Sequence, residues 1–195
     1  MLPHQPSDDL DLRKPGRGRT PRDTKSMDSE WLDEHARSYA SRWETSEASV
    51  AVLLERKIRE RCERTKESPE EALEMIPEVV ARLVERNYVS DLRFAEGVLE
   101  RQRRRGASTE QIRARLLDKG IASSLIASLF AAEKPDVESE SAWRLAKRRR
   151  LGPYCSDPEK REQSRERHLA AFSRAGFDYE AALRVVDARS IPGSE

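Results

Sequence analysis

The sequence is short of what sheet folds need. Its 195 residues include 8 glycines and 6% aromatics, and no stretch alternates Val, Ile or Thr with polar residues. Sandwiches and barrels require many turns and period-two strands, so both are excluded. No run approaches the roughly 18 apolar residues of a membrane span. The opening "MLPHQPSDDLDLRKPGRGRT" lacks the apolar stretch of a secretory signal. Two isolated cysteines, Cys62 and Cys155, and three scattered histidines, His4, His35 and His168, give no metal-ligand spacing. Glycine-rich phosphate loops, His-Glu-x-x-His and Ser-x-x-Lys motifs are missing, and no Cys has a nearby His. The expectation is a monomeric, cytoplasmic, reduced protein that is not an enzyme and uses no cofactor, metal or membrane. His168, beside Arg167, reads as a surface or boundary residue rather than a base.

Charge is what the chain has in quantity. Charged residues make up 37% and apolar ones 36%, which suits thin helical layers. The net charge of +1 hides a polarity along the sequence. Between Glu44 and Glu85 stand 7 basic and 11 acidic residues, a balance of −4. Arg101 to Lys119 holds 7 basic and 2 acidic (+5), and Arg144 to Arg174 holds 10 and 4 (+6). Such asymmetry concerns partners and association rates, not fold.

Residues 1–29 carry four prolines and two glycines with few apolar side chains. A segment of that kind cannot offset its ordering entropy, so a disordered tail is expected. Beyond it, apolar residues recur at helical spacing. Leu32, Ala36, Tyr39 and Trp43 share one face; Val50, Leu53, Leu54 and Ile58 follow a cap at Thr45 or Ser46. Leu73 to Val84 is interrupted by Pro77, where a helix must start or kink. Asn87 suits a left-handed end. Ser90 or Asp91 caps a helix ending before Gly106, and Ser108 or Thr109 one ending at Gly120. Helices over 122–132, around Trp143 and Ala146, over 159–175 and over 178–188 complete nine in all. Tyr88, Phe94, Leu116 and Ile121 are expected in the core.

The chain also resembles itself. "SEASVAVLLERKI" at 46–58 overlays "TEQIRARLLDKGI" at 109–121, setting Ser46 on Thr109 and Leu53-Leu54 on Leu116-Leu117. A weaker copy begins at His168, with Phe172 on Leu116 and Gly176-Phe177 on Gly120-Ile121. The expected fold is all-α: three tandem three-helix repeats at 30–88, 89–134 and 135–189, stacked into an elongated, curved solenoid, with a tail at 190–195.

The stretch "NYVSDLRFAEGVLERQRRRGASTEQIRARLLDKGI", residues 87–121, resembles the central motif of the RecX regulatory proteins, bacterial modulators of the RecA recombinase. Tyr88, Asp91, Arg93, Phe94 and Ala95 carry the pattern, followed by Arg101, Arg104, Gly106, Ile112, Arg113, Leu116, Lys119, Gly120 and Ile121. The likeness extends weakly over residues 36–188. Two departures are Asn87 for the usual glycine and Ser90 for the first acid of an acidic pair. The first unit is further from the pattern, with the apolar Val50, Ala51, Val52, Leu53 and Leu54 where the family has a basic helix face. The resemblance implies three tandem three-helix units and a protein that binds RecA or its filament on single-stranded DNA. It implies inhibition of filament extension, ATPase, strand exchange and coprotease activity.

Two basic runs stand out beside that likeness. Arg101, Arg103, Arg104 and Arg105 end one helix, and Lys147, Arg148, Arg149 and Arg150 end another. Complementing a helix dipole explains one or two cations at a helix end, not four. With Arg93 and Arg113, these ten are the candidate contacts to a RecA filament or to single- and double-stranded DNA. A second reading is a transcriptional regulator whose short helices work as helix-turn-helix elements, with Glu110 and Gln111 reading bases.

Overall fold

Side-chain caps and left-handed residues set most element boundaries. The structure, a computed structural model, describes residues 26–192, and every regular element among them is helical. Helix α1 is Ser29–Ala40, α2 Glu47–Thr65, α3 Glu70–Glu74, α4 Ile76–Glu85, α5 Asp91–Arg104 and α6 Thr109–Asp118. Then come α7 Ser123–Ala131, α8 Val137–Arg149, a 3-10 turn at Gly152–Tyr154, α9 Pro158–Gln163, α10 Arg165–Arg174 and α11 Tyr179–Val186. Ser46, Ser90, Ser108 and Asp178 each accept a hydrogen bond from the backbone N–H three residues on. Each such cap is worth about 1 kcal/mol. Asn87, at φ 59°, supplies the left-handed end foreseen for α4.

The all-α class stands, with eleven helices among the described residues instead of nine. The 73–84 run divides because Pro77 opens α4 in its first turn, where an N–H would have no intrahelical partner. The 159–175 run divides at Ser164. Of the expected tails, residues 1–25 and 193–195 lie outside the described residues. Order starts earlier than expected, because Asp28 accepts from the Trp31 N–H at 2.9 Å and caps α1.

Buried apolar side chains fall into three clusters. Leu32, Val50, Leu54, Ile58, Val79 and Leu83 lead the first. Ala95, Val98, Ile112, Leu116, Ile121 and Ile126 form the second. Ala142, Leu145, Phe172, Phe177, Val185 and Val186 lead the third. Fully burying one Leu or Ile contributes about 1.5–3 kcal/mol. Leu116 and Ile121 are buried as expected and Phe94 packs partly buried on their cluster. Tyr88 is not core: it is 45% exposed, because after the left-handed Asn87 the chain turns Val89 inward instead. Trp43 is 65% exposed, since α1 stops at Ala40 before reaching it.

Two junctions between clusters are built alike. The Ser46 hydroxyl donates to the Lys119 carbonyl at 2.7 Å, and the Ser108 hydroxyl to the Ala175 carbonyl at 2.6 Å. One residue after each serine, the Glu47 N–H donates to the Asp91 carboxylate at 2.9 Å and the Thr109 N–H to the Glu138 carboxylate at 3.0 Å. Gly120 abuts Ala48 and Gly176 abuts Glu110, so closely that a Cβ on either glycine would stand 2.4 Å from the Ala48 Cβ or 3.3 Å from the Glu110 Cβ. The structural partner of Ser46 is thus Ser108, one residue earlier than the overlay on Thr109. Buried residues follow at four and eight positions: Val50 and Leu54, then Ile112 and Leu116. In α10 the same spacing from Ser164 falls on His168 and Phe172. That is why His168 is buried, 5% exposed, and not at the surface or boundary position expected from its neighbours.

Candidate basic interface

Helix α5 turns its 95–99–103 face inward, and this decides the fate of its arginines. Ala95 is fully buried, Leu99 partly buried, and Arg103, at the next place on that face, is 6% exposed. Its guanidinium forms a two-pronged pair with Glu133 at 2.9 and 2.7 Å and meets Glu138 at 2.5 Å. It also donates to the Ala107 carbonyl at 3.2 Å and the Thr109 hydroxyl at 2.7 Å. Phe130 lies between two guanidinium groups, Arg103 at 5.7 Å and Arg113 at 5.2 Å from its ring centre, a cation–π arrangement. Burial pulls the Arg103 pKa down, but the bonds to Glu133 and Glu138 outweigh it and hold it above the ordinary arginine value. Arg103 is a structural ion and not a surface contact. Sequence grouped it with its neighbours because Glu133 and Glu138 lie 30 and 35 residues away.

Arg101, Arg104 and Arg105 are exposed. Arg104 pairs with Glu100 at 3.8 Å, with both side chains mostly in solvent, and such a pair contributes about 0–1 kcal/mol. At the end of α8, Lys147, Arg148, Arg149 and Arg150 are all exposed. Arg150 takes the left-handed cap at φ 55°, and Leu151 turns inward where the helix would otherwise have continued. The two runs meet. Arg148 Nη1 donates to the Arg105 carbonyl at 2.6 Å, and Arg144 Nη1 reaches the Arg103 carbonyl at 3.3 Å. A Cβ on Gly106 would stand 2.6 Å from the Leu145 nitrogen, so the end of α5 presses on the middle of α8. The result is a cationic surface of eight side chains, suited to phosphates or to an acidic protein face. Arg144 belongs to it, and sequence reasoning passed it over because it precedes the run.

The two remaining candidates are placed otherwise. Arg93 is tied locally, to Glu44 at 3.0 Å and to the Asn87 side chain at 2.8 Å, so it bridges α5 to the end of α4. Arg113 is half-buried against Phe130.

No family model matches the chain. Over 170 residues it is 30% identical to "Regulatory protein RecX" of Myxococcus xanthus (strain DK1622), covering 87% of this chain and 91% of that one. The chain belongs to the RecX family. A crystal structure of a regulatory protein RecX agrees with it at a TM-score of 0.57 and 22% identity, covering 82% of this chain and 74% of that one. The RecX fold is accordingly this chain's helical fold. Within the RecX frame, Gly106, Arg104 and Lys119 of the central motif stand at the ends of α5 and α6, at or beside the junctions described above.

Proposed function

We propose that this protein regulates the RecA recombinase, binding RecA or its filament on single-stranded DNA and inhibiting extension, ATPase, strand exchange and coprotease activity. In doing so it modulates recombination and DNA repair. Membership of the RecX family supports the regulatory class. The single observation that carries the contact surface is the hydrogen bond from Arg148 to the Arg105 carbonyl, which joins two cationic helix ends. Filaments repeat along an axis, and two neighbouring cationic helix ends, on α5 and α8, can meet phosphates or acidic side chains recurring along it. The proposed contacts are Arg101, Arg104, Arg105, Arg144, Lys147, Arg148, Arg149 and Arg150. Arg103 contributes by holding α5 and α8 in register.

The reading as a base-reading regulator is less favoured. It needs the first turn of α6 in a DNA groove. That turn is occupied by the end of α10, through Ser108 on the Ala175 carbonyl and Gly176 against Glu110. The deciding experiment is RecA ATPase on single-stranded DNA with the protein and with its Arg104→Ala/Arg105→Ala/Arg148→Ala variant. Inhibition by the wild type, weakened at least about tenfold in the variant at equal helicity, is expected. Each lost ionic contact accounts for about 1 kcal/mol or more at a charged interface. Uninhibited ATPase at equimolar wild-type protein would overturn the proposal.

A further inference from the structure

A second cationic feature shares the end of α8. A cavity of about 570 Å³ opens between the last turn of α8, α9 and one face of α10. Arg149 and Arg150 enter it from α8, Lys160 from α9, and Arg167 and Arg174 from α10. Ser164, just before α10, and Arg167, Ala171 and Arg174 on it all line the cavity, at the three- and four-residue spacing that sets side chains on one face. Among the described residues no carboxylate lines it.

Carboxylates accompany arginines at many other places in the molecule. Basic and acidic residues are almost equal in number, 37 against 36, and many helical arginines have an acidic partner, as Arg37 has Asp33, Arg59 Glu55 and Arg165 Asp187. Lys160 does have one, Asp157 at 3.2 Å. The side chains of Arg149, Arg150, Arg167 and Arg174 make no hydrogen bond or ion pair among the described residues. Four unpaired guanidinium groups around one concavity repel each other, and walls of low dielectric strengthen the field between them. An anion in the middle relieves that repulsion.

The floor is polar but uncharged. The His168 Nδ1 accepts from the Gly152 N–H at 3.2 Å, so the neutral ring carries its proton on Nε2. Burial, then the nearby Arg167 and Arg161, push the His168 pKa below its ordinary value. The Ser164 hydroxyl makes no side-chain cap bond to α10 and is free to donate. Planar guanidinium forks match the tetrahedral oxygens of phosphate with two hydrogen bonds each. Cavities of this size hold small-molecule ligands or a few linked groups.

We infer that this cavity is a binding site for phosphate groups, held by Arg149, Arg150, Arg167 and Arg174 with Lys160 at the rim. Either the backbone of a single-stranded nucleic acid or a free phosphorylated molecule supplies that chemistry. The inference shares Arg149 and Arg150 with the proposed RecA-facing surface and rests on that reading for nothing else.

The test uses the full chain without RecA. Binding of inorganic tripolyphosphate is measured by calorimetry, and binding of a fluorescent 12-nucleotide oligo-dT by anisotropy. The variants are Arg167→Gln/Arg174→Gln and, as a charge-matched control on the surface of α2, Arg56→Gln/Arg59→Gln. Wild type and control are expected to bind tripolyphosphate, with the cavity variant at least about tenfold weaker. Loss of two contacts also lowers the salt slope of oligo-dT binding by about 1.4, if the strand uses the site. Tripolyphosphate displacing oligo-dT assigns the cavity to a nucleic-acid backbone. Tripolyphosphate binding there without displacing it assigns a free phosphorylated ligand. Equal tripolyphosphate affinity in wild type and cavity variant, or a hexaglutamate peptide outcompeting tripolyphosphate, would overturn the inference. Because RecA is in none of these measurements, failure here leaves the regulatory reading untouched, and the reverse holds too.

Discussion

Helices α5 and α8 end in nearly the same words, "RQRRR" and "KRRR", yet the two ends have opposite physics. In α5 the run includes a residue on the buried face, so one arginine of four is taken inside and neutralised by two carboxylates. In α8 the helix ends at Arg149, the left-handed Arg150 turns the chain, Leu151 takes the next inward place, and all four cations stay exposed. A run of like charge therefore carries no fixed meaning. Its meaning comes from where the apolar face lies and where the helix ends.

The sharpest way to break that comparison is Arg103→Ala. It strands Glu133 and Glu138 and empties space beside Phe130, so denaturant unfolding should show a loss of roughly 3–5 kcal/mol. Arg149→Ala, by contrast, should stay within about 0.5 kcal/mol of wild type. Similar costs for the two would mean that both ends are surfaces.

Glycines offer a second, smaller contrast, one just past the end of α5 and one inside it. Gly106 sits at φ 73°, and a Cβ there would stand 2.6 Å from the Leu145 nitrogen and 2.7 Å from the Ser141 carbonyl oxygen. Gly106→Ala is expected to cost about 2 kcal/mol or more, from left-handed strain and from separating α5 and α8. Gly97 lies inside the helix, and the nearest atom to its missing Cβ is the mobile Arg101 guanidinium at 3.1 Å. Gly97→Ala should stabilise by about 0.5–1 kcal/mol. Thermal melts of both variants check the pair, and a neutral Gly106→Ala would dissolve the α5–α8 contact as an ordering device.

The smallest effect concerns what holds the far end of α8. His168, neutral and buried, accepts from the Gly152 N–H just beyond the helix. Its folded pKa lies below the ordinary value, so the unfolded chain takes up the proton first. This contribution is complete above the ordinary imidazole pKa of about 6.5 and is lost as pH falls through and below it. Melting temperature followed from pH 8 to 5 should decline, and part of the decline should vanish in His168→Asn. An unchanged profile in that variant would show that the imidazole is not involved.

Much of this was legible beforehand. Ser46, Ser90, Ser108, Gly120 and Gly176 mark helix ends through chemistry local to a few residues, and Leu116 and Ile121 mark a core through spacing alone. The overlay of 46–58 on 109–121 missed the structural register by one residue, because similarity of letters weighed Leu-Leu pairs while packing weighs which leucine turns inward. Tyr88 and Trp43 were misplaced for a related reason: a helix ended, or a left-handed residue intervened, and the next side chain took the inward place. The cavity between α8, α9 and α10 was out of reach, since Arg149 and Arg174 lie far apart in the chain.

By itself the order of residues settled the helical class, the caps and the division into basic and acidic stretches, because backbone hydrogen bonding and apolar periodicity act over a turn or two. Only tertiary structure decided which arginines are ions of the interior and which stay exposed to water. Burial and ion pairing depend on distance in space, and Glu133, Glu138 and Arg103 become neighbours only once α5 has packed on α8.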